Sequence, residues 1–200
     1  MRNVIVMGAL CASMMWAEGG AINDQERAFL LEQLETSKKN MLASIKGLSQ
    51  AQWTFKPAPN VWSVQECAEH IVLAEGYIFD GSQRVLKTPE VPRPEKSNSQ
   101  VDQILVTRIQ DRSQKATAPE PLVPGRKFAT PGEAAQAFVE ARNKTIEYVK
   151  NTQDDLRTHV APGPAGPMDA YQFLLLLASH SGRHTLQIKE VEANSAYPAN

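Results

Sequence analysis

Three of the four histidines in this 200-residue chain lie at helical spacings that turn them toward a core. Phe173, Leu177, His180, His184, Ile188 and Val191 recur at three- and four-residue steps, so two imidazoles stand where apolar side chains are expected. Residues four apart on a helix are about 5–6 Å apart at Cβ, and both rings can lean onto one ion with bonds of about 2.0–2.1 Å. His70 sits on the edge of another apolar stripe, beside Leu73, Ala74 and Tyr77, and can supply a third nitrogen. Three neutral imidazoles leave at least one coordination position for water or substrate, as catalytic rather than structural metal sites do.

Simpler readings compete with this one. A single inward histidine is commonly a hydrogen-bonded core residue, and H-x-x-x-H pairs also arise on amphipathic surfaces. His180-Ser181-Gly182-Arg183-His184 lacks the glutamate of the HExxH proteases, which disfavours that chemistry. Glu66, one helical turn before His70, is the candidate catalytic base, although its spacing from Ser63 suits helix capping better. Gln187, three residues beyond His184, and Tyr77 are candidate outer contacts that would orient a ligand or substrate. Arg183 points away from the His180/His184 face, Cys67 reads as a small core residue, and His159 receives no role.

Four helices must position these side chains. The first spans about Asp24 to Gly47, with Leu30, Leu34, Met41, Ile45 and Leu48 on one face. The second runs from Ser63 to about Lys87, with Ser63 and Glu66 forming an S-x-x-E capping box. The third begins at Thr130, with Pro131 at its first position and Glu133 completing another box, and ends near Asn151. The fourth, from Asp169 with Gln172 capping in return, runs through Leu174 to Leu177 as far as Ala193 and is the most apolar. Residues 88–129 form a long excursion between the second and third helices, holding six of the thirteen prolines at its two ends. Val101, Ile104, Leu105 and Ile109 in its middle support one extra short helix, so it is read as a packed lid. Ala161 to Pro167 carries too little apolar surface for a strand, and no strand is expected elsewhere. The fold class is therefore all-α: a four-helix bundle with a proline-flanked insertion.

Composition agrees with one domain over residues 22–200. A 42% hydrophobic content provides for a core. The formal charge of −1, from 21 basic and 22 acidic residues, offers no broad basic field for nucleic acid. Residues 1–21 read as a signal peptide: Met1-Arg2-Asn3 is followed by an apolar run from Val4 to Trp16, too short for a membrane anchor. A lipoprotein anchor at Cys11 is disfavoured by Leu10 immediately before it. The expected location is therefore periplasmic or extracellular, and with Cys67 alone remaining no internal disulfide forms.

The run from Lys56-Pro57 through Val61-Trp62-Ser63-Val64, then Glu66 to His70, then His180-x-x-x-His184 followed by Gln187-Ile188, resembles the DinB-like superfamily of four-helix bundles, including the YfiT-type metal-dependent hydrolases. The likeness covers about Asp24 to Ala193. It implies that His70, His180 and His184 are metal ligands, in agreement with the faces read above. Members of the superfamily share fold and triad but differ in chemistry, including thiol S-transferases and a thiol-dependent isomerase. The insertion and the leader depart from the compact cytosolic pattern and argue against cytosolic thiol cofactors as substrates.

Two functions follow as expectations. One is a metal-dependent hydrolase or transferase acting on a small molecule, with zinc or nickel the favoured ion and iron a further choice. The other is a non-enzymatic exported bundle that holds a metal or small ligand. A bundle with exposed apolar edges also suits a homodimer. Closure of the open coordination position by a side chain such as Cys67 would argue against catalysis.

Overall fold

Each long helix begins where a short polar side chain can satisfy backbone amides left free at its start. In the computed structural model, which describes residues 21–90 and 98–199, Asn23 caps α1 (Asp24–Ile45), Ser63 caps α3 (Val64–Val85), Thr130 caps α5 (Pro131–Asn151) and Asp169 caps α6 (Ala170–Glu192). At α3 and α6 the capping boxes are reciprocal, as expected. At α5 they are not: Thr130 Oγ1 accepts from Glu133 N, but the Glu133 carboxylate turns back to Ala129 N at 2.8 Å. Residues 1–20 of the expected signal peptide, Cys11 among them, lie outside the described residues.

The apolar stripes decide the packing. α6 lies against both α1 and α3, and α5 packs on the same two helices, so the neighbours around the bundle run α1, α6, α3, α5. Leu30, Leu34, Leu174 and Leu177 belong to one apolar cluster, and Met41, Trp53, Phe138 and Ile188 to another. Trp53 comes from α2 (Gln50–Thr54), a single short helix after Gly47 that the sequence pattern did not reveal. Gly47 has φ +74°, the left-handed conformation in which glycine ends a helix without a Cβ penalty.

The excursion is packed where it is described. Its expected helix is α4 (Asn98–Arg108), which buries Val101 and Leu105 and lies on α6. A 3-10 turn at Glu120–Leu122 follows and buries Leu122. Arg157 binds α4 to the bundle: its guanidinium meets carboxylates of Glu26 on α1, Asp102 on α4 and Asp169 at the cap of α6, and lies 3.7 Å from the Tyr171 ring centroid.

The expectation of no strand is corrected. Val160–Gly163 (β1) and Gly166–Asp169 (β2) pair antiparallel, from Val160 opposite Asp169 to Gly163 opposite Gly166. Backbone pairing needs no apolar run when a two-residue turn brings the strands together, and Gly166 supplies a positive φ of +96° beside that turn. Pro162 and Pro167 face each other one step in from the closing pair, at a position that exchanges no ladder hydrogen bonds, so their missing N–H groups cost nothing. Met168, fully buried, anchors the hairpin.

Candidate metal centre

The three histidines meet because α3 and α6 pack along their lengths with His70 on one and the His180/His184 pair on the other. Their ring centroids are 4.9 Å (His70 to His180), 4.3 Å (His70 to His184) and 4.5 Å (His180 to His184) apart. One ring nitrogen from each falls within 4.8 Å of the other two. His70 and His184 are buried, whereas His180 keeps part of its surface open to solvent.

Hydrogen bonds decide which nitrogens face inward. His70 Nδ1 lies 2.6 Å from the carbonyl oxygen of Leu122, which can only accept, so His70 carries its proton on Nδ1 and presents a lone pair at Nε2. His184 Nδ1 is 2.8 Å from Gln187 Oε1, which leaves its Nε2 as the inward nitrogen. His70 Nε2 and His180 Nε2 are 3.2 Å apart. Two ligands of a tetrahedral ion with bonds of about 2.0 Å are separated by about 3.3 Å, so this spacing fits a shared cation.

Electrostatics favour the neutral, ligating form. Burial lowers the basicity of all three imidazoles, and for His180 and His184 the neighbouring rings lower it further, His180 to about 3. Trp62 covers the site from the loop before α3, its ring centroid 4.8 Å from that of His70 and 6.0 Å from that of His184. Among the described residues this cluster ends at three donors: no Cys, Asp or Glu brings a further ligand atom into it.

The other expected residues fall differently. Glu66 does not serve as an uncommitted base. Its carboxylate caps α3 through Ser63 N and is gripped by Lys56 Nζ at 2.9 and 2.6 Å and by Arg126 Nε at 3.4 Å. Burial raises its pKa, but Lys56, the Ser63 amide and Arg126 outweigh burial and hold it below the ordinary range. Tyr77 is corrected as an outer contact: it is 46% exposed, with Arg84 over its ring. Seven residues bring it to nearly the same face as His70 but about 10 Å along the axis. Gln187 meets His184 Nδ1 through its Oε1. Cys67 is buried core with its thiol pushed far up by desolvation, and takes no part in the donor set. Arg183, read as pointing away from the His180/His184 face, donates to carbonyls of Ile109, Asp111 and Gln114 in the excursion.

Three contributors carried no signal in the sequence. Leu122 acts through its backbone oxygen, which side-chain patterning does not report. Arg112 donates to Gln187 and forms a two-point pair with Glu190, but in sequence it is one charge in a polar stretch. Glu69 is buried and accepts from Gly125 N at 2.9 Å and Lys127 N at 2.8 Å, holding the end of the excursion beside His70. His159, which received no role, meets Thr88 O through Nδ1 and lies near Glu90 and Asp155.

A family model described as the DinB superfamily matches residues 33–188. The chain belongs to the DinB superfamily. It is similar to the uncharacterized protein YuaE of Bacillus subtilis (strain 168), with 24% identity over 149 residues, covering 74% of this chain and 88% of that one. Its fold is similar to that of YfiT from Bacillus subtilis, described as "a probable metal-dependent hydrolase with an unusual four-helix bundle topology". That match has a TM-score of 0.59 and 15% identity, covering 89% of this chain and 92% of YfiT. This DinB-superfamily chain thus combines the bundle with a three-histidine cluster suited to a metal.

Proposed function

We propose that this DinB-superfamily protein holds one divalent transition-metal ion on His70, His180 and His184 and uses it as a hydrolase or transferase toward a small molecule. The observation that carries this reading is a donor set that ends at three neutral imidazoles, two of them with Nδ1 already engaged so that Nε2 faces inward. Such an ion acts as a Lewis acid, polarising a substrate oxygen or sulfur group or lowering the pKa of water. The chain's own residues hold and orient it: Leu122 O fixes the His70 ring, Gln187 the His184 ring, and Trp62 shields both. Imidazole donors suit zinc or nickel, with iron next. YfiT supports the hydrolase reading by its description and by its fold.

The test is elemental mass spectrometry of the purified protein against a folded His180→Ala/His184→Ala variant. The wild type should carry about one equivalent of metal and the variant essentially none. Wild-type protein that stays metal-free after incubation with zinc, nickel and iron would overturn the metal centre. If metal is bound but no ester, amide or thiol-transfer substrate turns over, the non-enzymatic binding reading replaces the catalytic one. Export is proposed on the composition of residues 1–21, and is tested by the N-terminal mass of protein recovered outside the cytoplasm.

A further inference from the structure

A glutamine amide has two ends of nearly equal size and opposite chemistry, so its neighbours decide which end points where. Gln187 has two such neighbours. Arg112 Nη1 lies 3.2 Å from Oε1, and His184 Nδ1 lies 2.8 Å from the same atom. A guanidinium has donors and no acceptor, so only the oxygen end of the amide is compatible with Arg112. With the oxygen there, His184 must carry its proton on Nδ1, which leaves the Nε2 lone pair for the metal centre. A flipped amide would set its NH2 against the guanidinium and require His184 to accept at Nδ1, moving the imidazole proton to Nε2.

We propose that Arg112 is a positioning residue of the metal centre: it locks the Gln187 amide and thereby selects the His184 tautomer whose Nε2 is free to bind a cation. The proposal deepens the metal reading above, and its tautomer part stands without any metal. Arg112 is itself held firmly. Its Nε and Nη2 meet the two oxygens of Glu190 at 2.9 and 2.8 Å, one turn beyond Gln187 on α6. The flanking backbone is tied to the same helix by Arg183, which donates to the carbonyls of Ile109, Asp111 and Gln114. Gly182 allows this close approach, since a Cβ there would come within 2.9 Å of Gln110 Oε1. The excursion between α3 and α5 therefore reaches two ligands at once, His70 through Leu122 O and His184 through Arg112 and Gln187.

The experiment compares the full-length wild type with Arg112→Met, Gln187→Glu and the Arg112→Met/Gln187→Glu double variant, each metal-free at pH 7.5. Long-range proton–nitrogen NMR of 15N-labelled histidine reports which ring nitrogen is protonated, and competition with a chromogenic chelator reports zinc affinity. Wild-type His184 should be protonated at Nδ1. Arg112→Met should mix the tautomers or reverse them and lower zinc affinity about ten- to a hundredfold, the usual scale for loss of an outer contact. A carboxylate presents oxygen at both ends and needs no guanidinium to choose between them. Gln187→Glu should therefore restore both the Nδ1 proton and the affinity in the Arg112→Met background, a rescue that a merely structural role would not produce.

An unchanged His184 tautomer in Arg112→Met, or failure of Gln187→Glu to rescue it, overturns the proposal. Should Arg112→Met not fold, Arg112→Ala removes the same guanidinium with a smaller side chain, and a tautomer and affinity equal to wild type there would overturn it too. Wild-type protein that binds no zinc, nickel or iron but shows the Arg112-dependent tautomer sinks the metal reading while supporting the tautomer part of this one. Zinc binding with no response to Arg112 does the reverse.

Discussion

The carbonyl oxygen of Leu122 accepts a hydrogen bond from His70 Nδ1 at 2.6 Å, across 52 residues of chain. That contact ties the end of the excursion to the first histidine of the candidate metal centre and sets which nitrogen of the ring faces His180. It depends on how residues 122–127 are held. Glu69, adjacent to His70 on α3, accepts from the amides of Gly125 and Lys127 on either side of Arg126, whose φ of +64° is unusual for a residue with a side chain.

Replacing that carboxylate should therefore be felt at the metal. Glu69→Ala leaves two amides without their acceptor and a left-handed arginine without its clamp, at a cost of about 1–3 kcal/mol in folding stability. Zinc affinity should fall about tenfold as the Leu122 carbonyl loosens. Urea titration and chelator competition measure the two effects. A stability loss with affinity unchanged would detach Glu69 from the site.

A fully buried ion pair lies outside the candidate centre. Arg142, fully buried on α5, pairs with Glu75 of α3 through two hydrogen bonds of 2.8 and 2.6 Å and reaches Leu34 O and Ser37 Oγ of α1. Arg142→Ala or Glu75→Ala strands a charge in the core and should cost about 3–5 kcal/mol, whereas Arg142→Met combined with Glu75→Leu should cost clearly less than either. Urea midpoints decide between that pattern and simple additivity, which would argue that the pair acts as two independent packing groups.

Acid should destabilise the metal-free protein in a defined window. All three imidazoles have folded values below the ordinary 6.5, so the unfolded chain takes up protons that the folded chain refuses. Their contribution is complete above pH 6.5 and is lost as pH falls toward the folded values, by at most about 1.4 kcal/mol per pH unit for each imidazole. Urea midpoints between pH 7.5 and 5 should drop for the wild type and much less for His180→Ala/His184→Ala. Equal slopes would mean that the rings are not buried neutral. The same protons compete with metal, so bound zinc should be released over the acidic range.

Cys67 offers a control on the donor set. Burial pushes its thiol up, so a disulfide reagent should leave it unmodified in folded protein at pH 8 and react on unfolding. Cys67→Ala should retain a full equivalent of metal at a stability cost of about 1 kcal/mol. Loss of metal in that variant would make the thiol a ligand and contradict the three-histidine set.

The long helices and the inward faces of His70, His180 and His184 are legible in the amino-acid sequence because their causes are local: apolar residues every three or four positions, and capping pairs three residues apart such as Ser63 with Glu66. The hairpin at 160–169 was not legible, since backbone pairing across a tight turn leaves no apolar pattern. The sequence by itself determined the helices, the ligand candidates and the existence of a long insertion. Only the tertiary structure decided what surrounds those ligands. Leu122 O on His70, Arg112 on Gln187 and Arg142 on Glu75 join residues 52, 75 and 67 positions apart, and no local periodicity encodes such contacts. Glu66 and Tyr77 show the same limit from the other side. Each shares a helix with His70, but the capping geometry and Lys56 commit the first, and the rise along the helix axis carries the second away from the site.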